Sequence, residues 1–158
     1  MGRLKRYIRM SLIFLYKGGY KRANYLKRIH YFKSQGQHCY LQPWNFGTEP
    51  YLISLGDNVH IASNVTFVNH DVTAQMFRYI DQNYSIKERK GSISIGNNVF
   101  IGANSTILYD VHIGNNVIIG ACSLVNHDIP DGVVAAGVPC RIIGSFDSYK
   151  NKIVTGMF

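Results

Sequence analysis

Apolar residues recur at every sixth position over much of this chain. From Leu55 the blocks read LGDNVH, IASNVT and FVNHDV, and after an interruption they resume at Ile95 as IGNNVF, IGANST, ILYDVH, IGNNVI, IGACSL and VNHDIP. The first residue of every block is apolar: Leu55, Ile61, Phe67, Ile95, Ile101, Ile107, Ile113, Ile119 and Val125. This period fits neither a free α-helix nor a hairpin meander. It predicts a parallel β-helix whose short strands each send one apolar residue inward.

Three blocks make one turn of the predicted coil, because the second position of the block varies with that period. This position is Gly or Ala in the first two blocks of a group and larger in the third: Gly56, Ala62, Val68; Gly96, Gly102, Leu108; Gly114, Gly120, Asn126. The fifth position is small or β-branched except at Asp71, where the repeat stops. The chain therefore leaves the coil there, and residues 73–91 are predicted to protrude as one loop.

The chain before the repeat predicts a helix followed by irregular coils. Its apolar residues recur at helical spacing before a glycine pair: Leu4, Ile8, Leu12 and Leu15, then Gly18-Gly19. Residues 38–54 have the character of degenerate starting coils whose register the sequence leaves open. The expected organisation is a basic helical segment at 1–34, a β-helix domain at 35–143 with its loop insertion at 73–91, and a C-terminal tail at 144–158.

Length and composition narrow the class of protein. The chain has 158 residues, of which 46% are hydrophobic, and this favours one globular domain. The three cysteines form no CxxC pair, so neither a disulfide framework nor a metal site is expected, and a reducing compartment is favoured. The apolar run at 10–16 is too short to cross a bilayer. These features predict a cytoplasmic protein.

The net charge of +8 is concentrated at the N-terminus, where residues 1–34 hold ten Lys and Arg and no acidic residue. Such a run is commonly the solvated face of a helical cap. A second interpretation is a peripheral helix held against anionic lipid at the inner face of the membrane. Binding to nucleic acid is the weakest of the three interpretations, because no recognition motif accompanies the charge.

An Asn-His-Asp triplet occurs twice, around His70 and around His127. A histidine beside a carboxylate is a candidate general base, because imidazole titrates near neutral pH. The pattern alone leaves open whether one triplet or both take part in chemistry.

The repeat resembles the hexapeptide-repeat acyltransferases, and most closely the galactoside and maltose O-acetyltransferases with their relatives in polysaccharide synthesis. The resemblance is carried by LGDNVHIASNVTF, ISIGNNVFIG, VHIGNNVIIGACSLV and DIPDGVVAAGVPCRII, and by the single loop after His70. These stretches cover somewhat more than half of the chain. The resemblance implies an all-β solenoid in the form of a left-handed parallel β-helix, a homotrimer, and active sites between neighbouring subunits.

The resemblance also implies roles for individual residues. His70 matches the catalytic histidine of the family, and the backbone N–H of Ala103 matches the donor to the oxyanion. Acetyl-CoA would lie against eight residues: Phe100, Ala103, Ala121, Asn126, His127, Ala136, Gly137 and Arg141. The acceptor would contact residues beside His70 and in the loop: Asn69, Asp71, Arg78 and Glu88. The ring of His70 would be oriented by Asp71, by Glu88 or by a backbone carbonyl.

The expected function is transfer of an acetyl group from acetyl-CoA to a sugar hydroxyl within a ternary complex, with His70 as the base. The short path from Phe67 to His70 resembles the polysaccharide-modifying branch, so the acceptor is expected in capsule, lipopolysaccharide or exopolysaccharide synthesis. One alternative keeps the donor and changes the acceptor to an amine or an antibiotic hydroxyl. The other is a non-catalytic trimeric β-helix scaffold, against which the presence of His70 and Arg141 argues.

Overall fold

The computed structural model describes residues 12–83 and 85–156 of the chain. The first part of the predicted N-terminal helix, with Leu4 and Ile8, lies outside these residues. The described part consists of a 3₁₀ turn, Leu12–Leu15, and helix α1, Gly19–Arg28. Helix α1 starts directly after Gly18, so the glycine pair separates two helical pieces, as the sequence predicts.

Most of the remaining chain forms short strands. They are β1 Ser34–Gln35, β2 Tyr40–Leu41, β3 Ile53–Leu55, β4 Val59–Ile61, β5 Thr66–Val68, β6 His70–Asp71, β7 Arg89–Lys90, β8 Ile93–Ile95, β9 Val99–Ile101, β10 Thr106–Leu108, β11 Val111–Ile113, β12 Val117–Ile119, β13 Leu124–Val125, β14 Val133–Ala136 and β15 Arg141–Ser145. The other helical elements are a 3₁₀ turn at Pro50–Leu52, helix α2 at Thr73–Ile80 and helix α3 at Phe146–Thr155.

The strands form three parallel sheets that the chain visits in rotation. Face A has the order β1-β3-β8-β11, face B the order β2-β4-β9-β12-β14, and face C the order β5-β10-β13. Successive strands from β8 to β13 lie on faces A, B, C, A, B and C. Val99 pairs with Val117, so one coil takes 18 residues, as the six-residue period predicts.

The first residue of each block points into the centre of this three-sided coil. Ile61, Ile101 and Ile119 stack on face B and are fully buried. Each fully buried aliphatic side chain of this size contributes about 1.5–3 kcal/mol relative to an exposed one. Burial of the repeated apolar position is therefore the main stabilising interaction that the repeat provides.

Asparagines occupy the turn between faces A and B. Asn58, Asn98 and Asn116 all have left-handed backbone conformations, with φ of 55° to 56°. The Nδ2 amide of Asn58 donates to Oδ1 of Asn98, and that of Asn98 donates to Oδ1 of Asn116. Asparagine tolerates this conformation better than most residues, and the amide ladder joins one coil to the next.

The predicted loop after His70 is partly helical. Strands β6 and β7 pair antiparallel at its base, with His70 opposite Lys90, and they lead the chain away from the coil. Helix α2 lies between them, where an irregular loop was expected. The stretch TAQMFRYI contains neither Gly nor Pro and spaces its apolar residues by three and four, which favours a helix.

The chain is helical on both sides of the coil. At the start, α1 packs Ala23 and Leu26 against β2 and the core. At the end, β15 pairs antiparallel with β14, and the expected C-terminal tail folds as α3, with the Ser145 hydroxyl accepting a hydrogen bond from the Ser148 N–H. Cys39, Cys122 and Cys140 are free thiols. Nowhere in residues 12–83 or 85–156 is there a helix long and apolar enough to span a membrane.

Candidate active site

His70 lies where the chain leaves face C and turns into the insertion. Its side chain is 31% exposed, and its Nδ1 atom is 2.8 Å from Oε2 of Glu49. The side chain of Glu49 is only 9% exposed. His70 therefore contacts a buried carboxylate on one side and solvent on the other. No other histidine is paired with a carboxylate in the part of the chain that the structure describes.

Glu49 is held as an anion by two further donors. The Thr48 hydroxyl donates to Oε2 at 2.5 Å, and Lys90 Nζ lies 3.4 Å from Oε1. Burial raises the pKa of Glu49, but the hydrogen bonds from Thr48, His70 and Lys90 outweigh this effect, and the pKa lies below its usual value. A carboxylate that is ionised at neutral pH accepts a proton donor, so Nδ1 of His70 is assigned as the N–H of the ring.

This tautomer leaves the lone pair of His70 on Nε2. Nε2 has no hydrogen-bond partner among the residues that the structure describes. A neutral imidazole with an open Nε2 and a fixed Nδ1–H is the arrangement that a general base requires.

The residues expected to orient His70 have other partners. Asp71 accepts hydrogen bonds from the backbone N–H and hydroxyl of Thr73 and from the Tyr109 hydroxyl, and the Thr73 contacts are the main cause of its lowered pKa. Glu88 accepts from Nε2 of Gln75, within the insertion. The expectation that one of these carboxylates orients His70 is therefore wrong, and Glu49 takes that position.

Sequence reasoning missed Glu49 because the register of the starting coils was open. Tyr40 pairs with His60, so the starting coil lies twenty residues before the next one, which begins at Ile53 opposite Ile93. On that register Glu49 falls close to His70, at the corner where the insertion leaves the coil. A usable signal existed, because ISLG at 53–56 matches ISIG at 93–96 and Glu49 is the first acidic residue of the chain.

The four residues expected to contact the acceptor differ in their accessibility. Asn69 is buried, and its Nδ2 amide donates to the Gly91 carbonyl, so it closes the base of the insertion. Arg78 donates to the Ile86 carbonyl on the exposed insertion, where Glu88 also lies. Asp71 is half-buried beside His70. The structure thus keeps Asp71 beside His70 and turns Asn69 inward.

Four of the residues expected to contact acetyl-CoA form one edge, between faces B and C. The Cys122 N–H donates to the Ala103 carbonyl, which sets Ala121 directly above Ala103. A Cβ atom on Gly120 would lie 2.8 Å from the Ala136 side chain, and Gly137 follows on the same edge. These small side chains leave the backbone accessible: Ala103, Ala121, Ala136 and Gly137.

Two further features of this edge suit the expected chemistry. The N–H of Ala103 has no acceptor among the residues described, so it is open to an anionic oxygen. The exposed Arg141 pairs across β15 with Ala136 and donates to the Cys140 carbonyl. A guanidinium therefore lies at the end of the small-residue edge.

The other three candidates for acetyl-CoA lie elsewhere in the same chain. Asn126 and His127 follow β13, so they lie at the corner between faces C and A, with His127 Nδ1 2.9 Å from Oδ1 of Asn126. Phe100 points outward from face B and is 44% exposed. The eight residues expected to contact acetyl-CoA thus fall on three parts of the surface of one chain.

A cavity of about 460 Å³ opens near the start of this edge. Ser63 and Asn64 contribute to it, one coil below Ala103, and the starting coil contributes Gln42, Trp44 and Asn45. None of its lining residues carries a charge. No sequence pattern indicates this cavity, because half of its wall comes from the starting coil, whose register the sequence leaves open.

Comparison with known proteins agrees with the fold and the repeat. The sequence pattern of the bacterial transferase hexapeptide family (six repeats) matches residues 92–127. The chain is 50% identical over 109 residues to Protein CapG of Staphylococcus aureus, an alignment that covers 69% of this chain and 62% of CapG. It is 47% identical over 97 residues to the galactoside O-acetyltransferase of Escherichia coli K12, covering 60% of this chain and 45% of that enzyme.

A solved structure extends the likeness to nearly the whole chain. The structure of a galactoside acetyltransferase in complex with coenzyme A aligns over 94% of this chain and 84% of its own, with 27% identity and a TM-score of 0.62. The alignments span only 62% and 45% of the lengths of these two curated relatives. The repeat, the three-faced coil and these relatives lead to one conclusion: the chain carries the bacterial transferase hexapeptide repeat at residues 92–127 and is similar to hexapeptide-repeat transferases.

Proposed function

We propose that this chain is an acetyl-CoA-dependent O-acetyltransferase that acts on a sugar hydroxyl. The observation that carries the proposal is the 2.8 Å contact between His70 Nδ1 and the buried Glu49 carboxylate, which leaves Nε2 open as a base. The names of the relatives support the reaction class, since one is a galactoside O-acetyltransferase and one solved relative binds coenzyme A.

The mechanism follows from the tautomer of His70. Nε2 takes the proton of the acceptor hydroxyl as its oxygen attacks the acyl carbon, and Glu49 stabilises the imidazolium that forms. A positioned base of this kind accelerates proton transfer by roughly 10²- to 10⁴-fold. The same imidazolium returns the proton to the departing thiolate, so protons balance over the cycle and no covalent enzyme intermediate is needed. Bound acetyl-CoA supplies the thioester that is attacked.

The edge between faces B and C fits the donor substrate. Its small side chains let a thin pantetheine arm lie against backbone, and the open Ala103 N–H is placed to stabilise an oxyanion. Arg141 offers a planar, permanently charged group for a phosphate. The donor site would include Phe100, Asn126 and His127 only if more than one chain contributed residues to it.

The separation of His70 from Ala103 supports a shared site. In one chain these residues flank opposite ends of face C, since His70 follows β5 and Ala103 precedes β10. A homotrimer of left-handed parallel β-helices, with each active site between two subunits, would bring the His70 of one subunit to the Ala103 edge of the next. Symmetric closed rings are a common arrangement for such head-to-tail contacts.

The cavity beside Trp44 supports a saccharide acceptor. Hydroxyl and amide side chains line it without any charge, which suits a neutral sugar. We assign the reaction to the cytoplasm and to the synthesis of a surface polysaccharide, on the resemblance of the His70 loop to that branch of the family. Asp71, Arg78 and Glu88 remain proposed contacts of the acceptor.

Calorimetric binding of coenzyme A tests the donor site directly. Wild type would be compared with Arg141→Ala and His70→Ala, with Lys152→Ala as a matched loss of an exposed cation and ATP as a phosphate-only ligand. Stoichiometric binding that weakens only in Arg141→Ala, without binding of ATP, supports the proposal. Absence of binding, or binding shared with ATP and indifferent to Arg141, would favour a scaffold that has kept the fold without the transferase.

A further inference from the structure

The N-terminal end of the coil exposes large apolar side chains. Leu12, Phe14 and Leu15 lie in one 3₁₀ turn and are 39%, 61% and 73% exposed. The ring of Phe14 stacks on Trp44 at a centroid distance of 5.2 Å, and Trp44 is itself 41% exposed. The coil therefore ends in an apolar cluster, defined by Leu12, Phe14, Leu15 and Trp44, that the described chain does not cover.

A basic cleft lies beside this apolar cluster. It has a volume of about 310 Å³ and is lined by Tyr16, Lys21, Asn24, Tyr25 and Arg28. Lys21, Asn24 and Arg28 are three and four residues apart on α1, so they share one face of the helix. Arg28 also donates to the Tyr16 hydroxyl at 3.2 Å, which links the helix to the 3₁₀ turn. Two cations and an amide around one cleft suit a phosphate group.

The chain that forms this end is basic. Residues 1–48 contain ten basic residues and no acidic residue. Arg22 is buried by contacts to the Leu41 and Gln42 carbonyls and does not face solvent. Lys17, Lys21 and Arg28 are exposed and remain available to an outside partner. The surface thus combines protruding apolar side chains with unneutralised positive charge.

We propose that this end of the coil docks on an anionic lipid membrane. The Leu12, Phe14 and Leu15 side chains of this cluster would enter the interfacial region, where aromatic side chains are favoured, and a lipid phosphate would bind in the basic cleft. Lys17 would add attraction to the negative surface. A nucleic acid would also bind the basic side chains, but it would leave Phe14 and Leu15 exposed to water. The proposal goes beyond the proposed function, because transfer to a soluble saccharide would not require it.

Deletion of the N-terminal segment is a poor test, because Ala23 and Leu26 are buried in the core and their loss would disturb the fold. Point variants of exposed residues avoid this problem. We suggest the pair Phe14→Ser with Leu15→Ser, and the pair Lys17→Ala with Lys21→Ala. Matched controls exist on other elements: Tyr79→Ser with Ile80→Ser on α2 for exposed apolar area, and Lys150→Ala with Lys152→Ala on α3 for charge.

The measurement is co-sedimentation of the full chain with vesicles at physiological ionic strength. We expect wild type to bind vesicles that contain phosphatidylglycerol at least about tenfold more tightly than vesicles of phosphatidylcholine alone. Both N-terminal pairs should reduce that binding at least about tenfold, while the two control pairs leave it unchanged. Binding of coenzyme A should be the same in all these variants, so a failure here is separable from a failure of the proposed function.

Three results would overturn the proposal. One is equal binding of wild type to both kinds of vesicle. Another is a loss of vesicle binding in the control pairs as large as the loss in the N-terminal pairs. The third is concentration-dependent self-association that the Phe14 and Leu15 pair abolishes, since it would make a second copy of the chain the occupant of this surface.

Discussion

Glu49 and His70 are separated by 21 residues in the chain, yet Oε2 of the carboxylate and Nδ1 of the imidazole are 2.8 Å apart. The coil brings them together, because the first coil and the exit to the insertion share one corner. The contact joins a carboxylate held by Thr48 and Lys90 to a half-exposed ring. In the proposed mechanism Glu49 is therefore the residue that positions His70.

Removing the charge of Glu49 should slow catalysis. In Glu49→Gln the amide oxygen can still accept the Nδ1–H, but the negative charge that stabilises the imidazolium is lost. A hydrogen bond to a charged group contributes about 1.5–3 kcal/mol, so kcat should fall about 10- to 100-fold while KM for acetyl-CoA stays the same. Steady-state kinetics measure this, with Asp81→Asn as a control carboxylate away from His70. An unchanged kcat would remove Glu49 from the mechanism.

The same residue should make stability depend on pH. The pKa of Glu49 in the folded chain lies below its ordinary value, so the folded state binds this proton less readily than the unfolded state. The stabilisation is therefore complete above the ordinary pKa of 4.5 and is lost as the pH falls through the lower pKa of the folded state. Wild type should exceed Glu49→Gln in Tm at neutral pH, and the difference should shrink on acidification. A difference independent of pH would contradict this.

Two inactive variants should restore activity when mixed, if the site is shared. Ala103 is the second residue of a turn whose third residue, Asn104, has a φ of 59°, and proline is favoured at that place. Ala103→Pro removes the N–H without breaking the turn, and we expect kcat to fall about 10²- to 10³-fold. Refolding it with His70→Ala in equal amounts should rebuild about a quarter of the interfaces.

The control for this mixing experiment is each variant refolded alone, which should stay inactive. Ala103→Pro should also keep the Tm of wild type, because its turn tolerates the ring. A mixture no more active than its components would mean that His70 and Ala103 act within one chain or not at all.

The asparagine ladder should contribute to stability in two separable ways. Asn98→Ala removes both amide contacts and forces an alanine into a left-handed conformation, so we expect a loss of about 1–3 kcal/mol in the free energy of unfolding. Asn98→Gly removes the same contacts without the steric cost and should lose about 1 kcal/mol less. Urea unfolding at equal protein concentration measures both. Equal losses of free energy of unfolding in the two variants would show that the left-handed backbone conformation of residue 98 does not contribute to the cost of Asn98→Ala.

The sequence predicts the inner surface of the coil because each buried position is repeated. Ile101 and Ile119 occupy the same place in successive coils, and the six-residue period is enough to identify them. The point of exit is also predictable, because Asp71 interrupts the pattern. The family resemblance adds His70 as the proposed base, and that role stays a prediction.

The positions that sequence reasoning missed depend on contacts between distant coils. Glu49 could not be recognised until the register of the starting coil was known. Arg22 belongs to a charge run that usually indicates a solvated face, but it lies 3.5 Å from the centre of the Trp44 ring and donates to two carbonyls at the open end of the coil. The six-residue repeat predicts the positions that recur in successive coils, whereas the contacts of Glu49 and Arg22 each occur only once.

The most direct test of the central claim is acetyl transfer itself, followed by mass spectrometry of a panel of neutral saccharides incubated with acetyl-CoA and either wild type or His70→Ala. We expect wild type to acetylate at least one saccharide on a hydroxyl. His70→Ala should be slower by about 10²- to 10⁴-fold, with coenzyme A binding intact. Transfer by His70→Ala at the rate of wild type would contradict the assignment of His70 as the base.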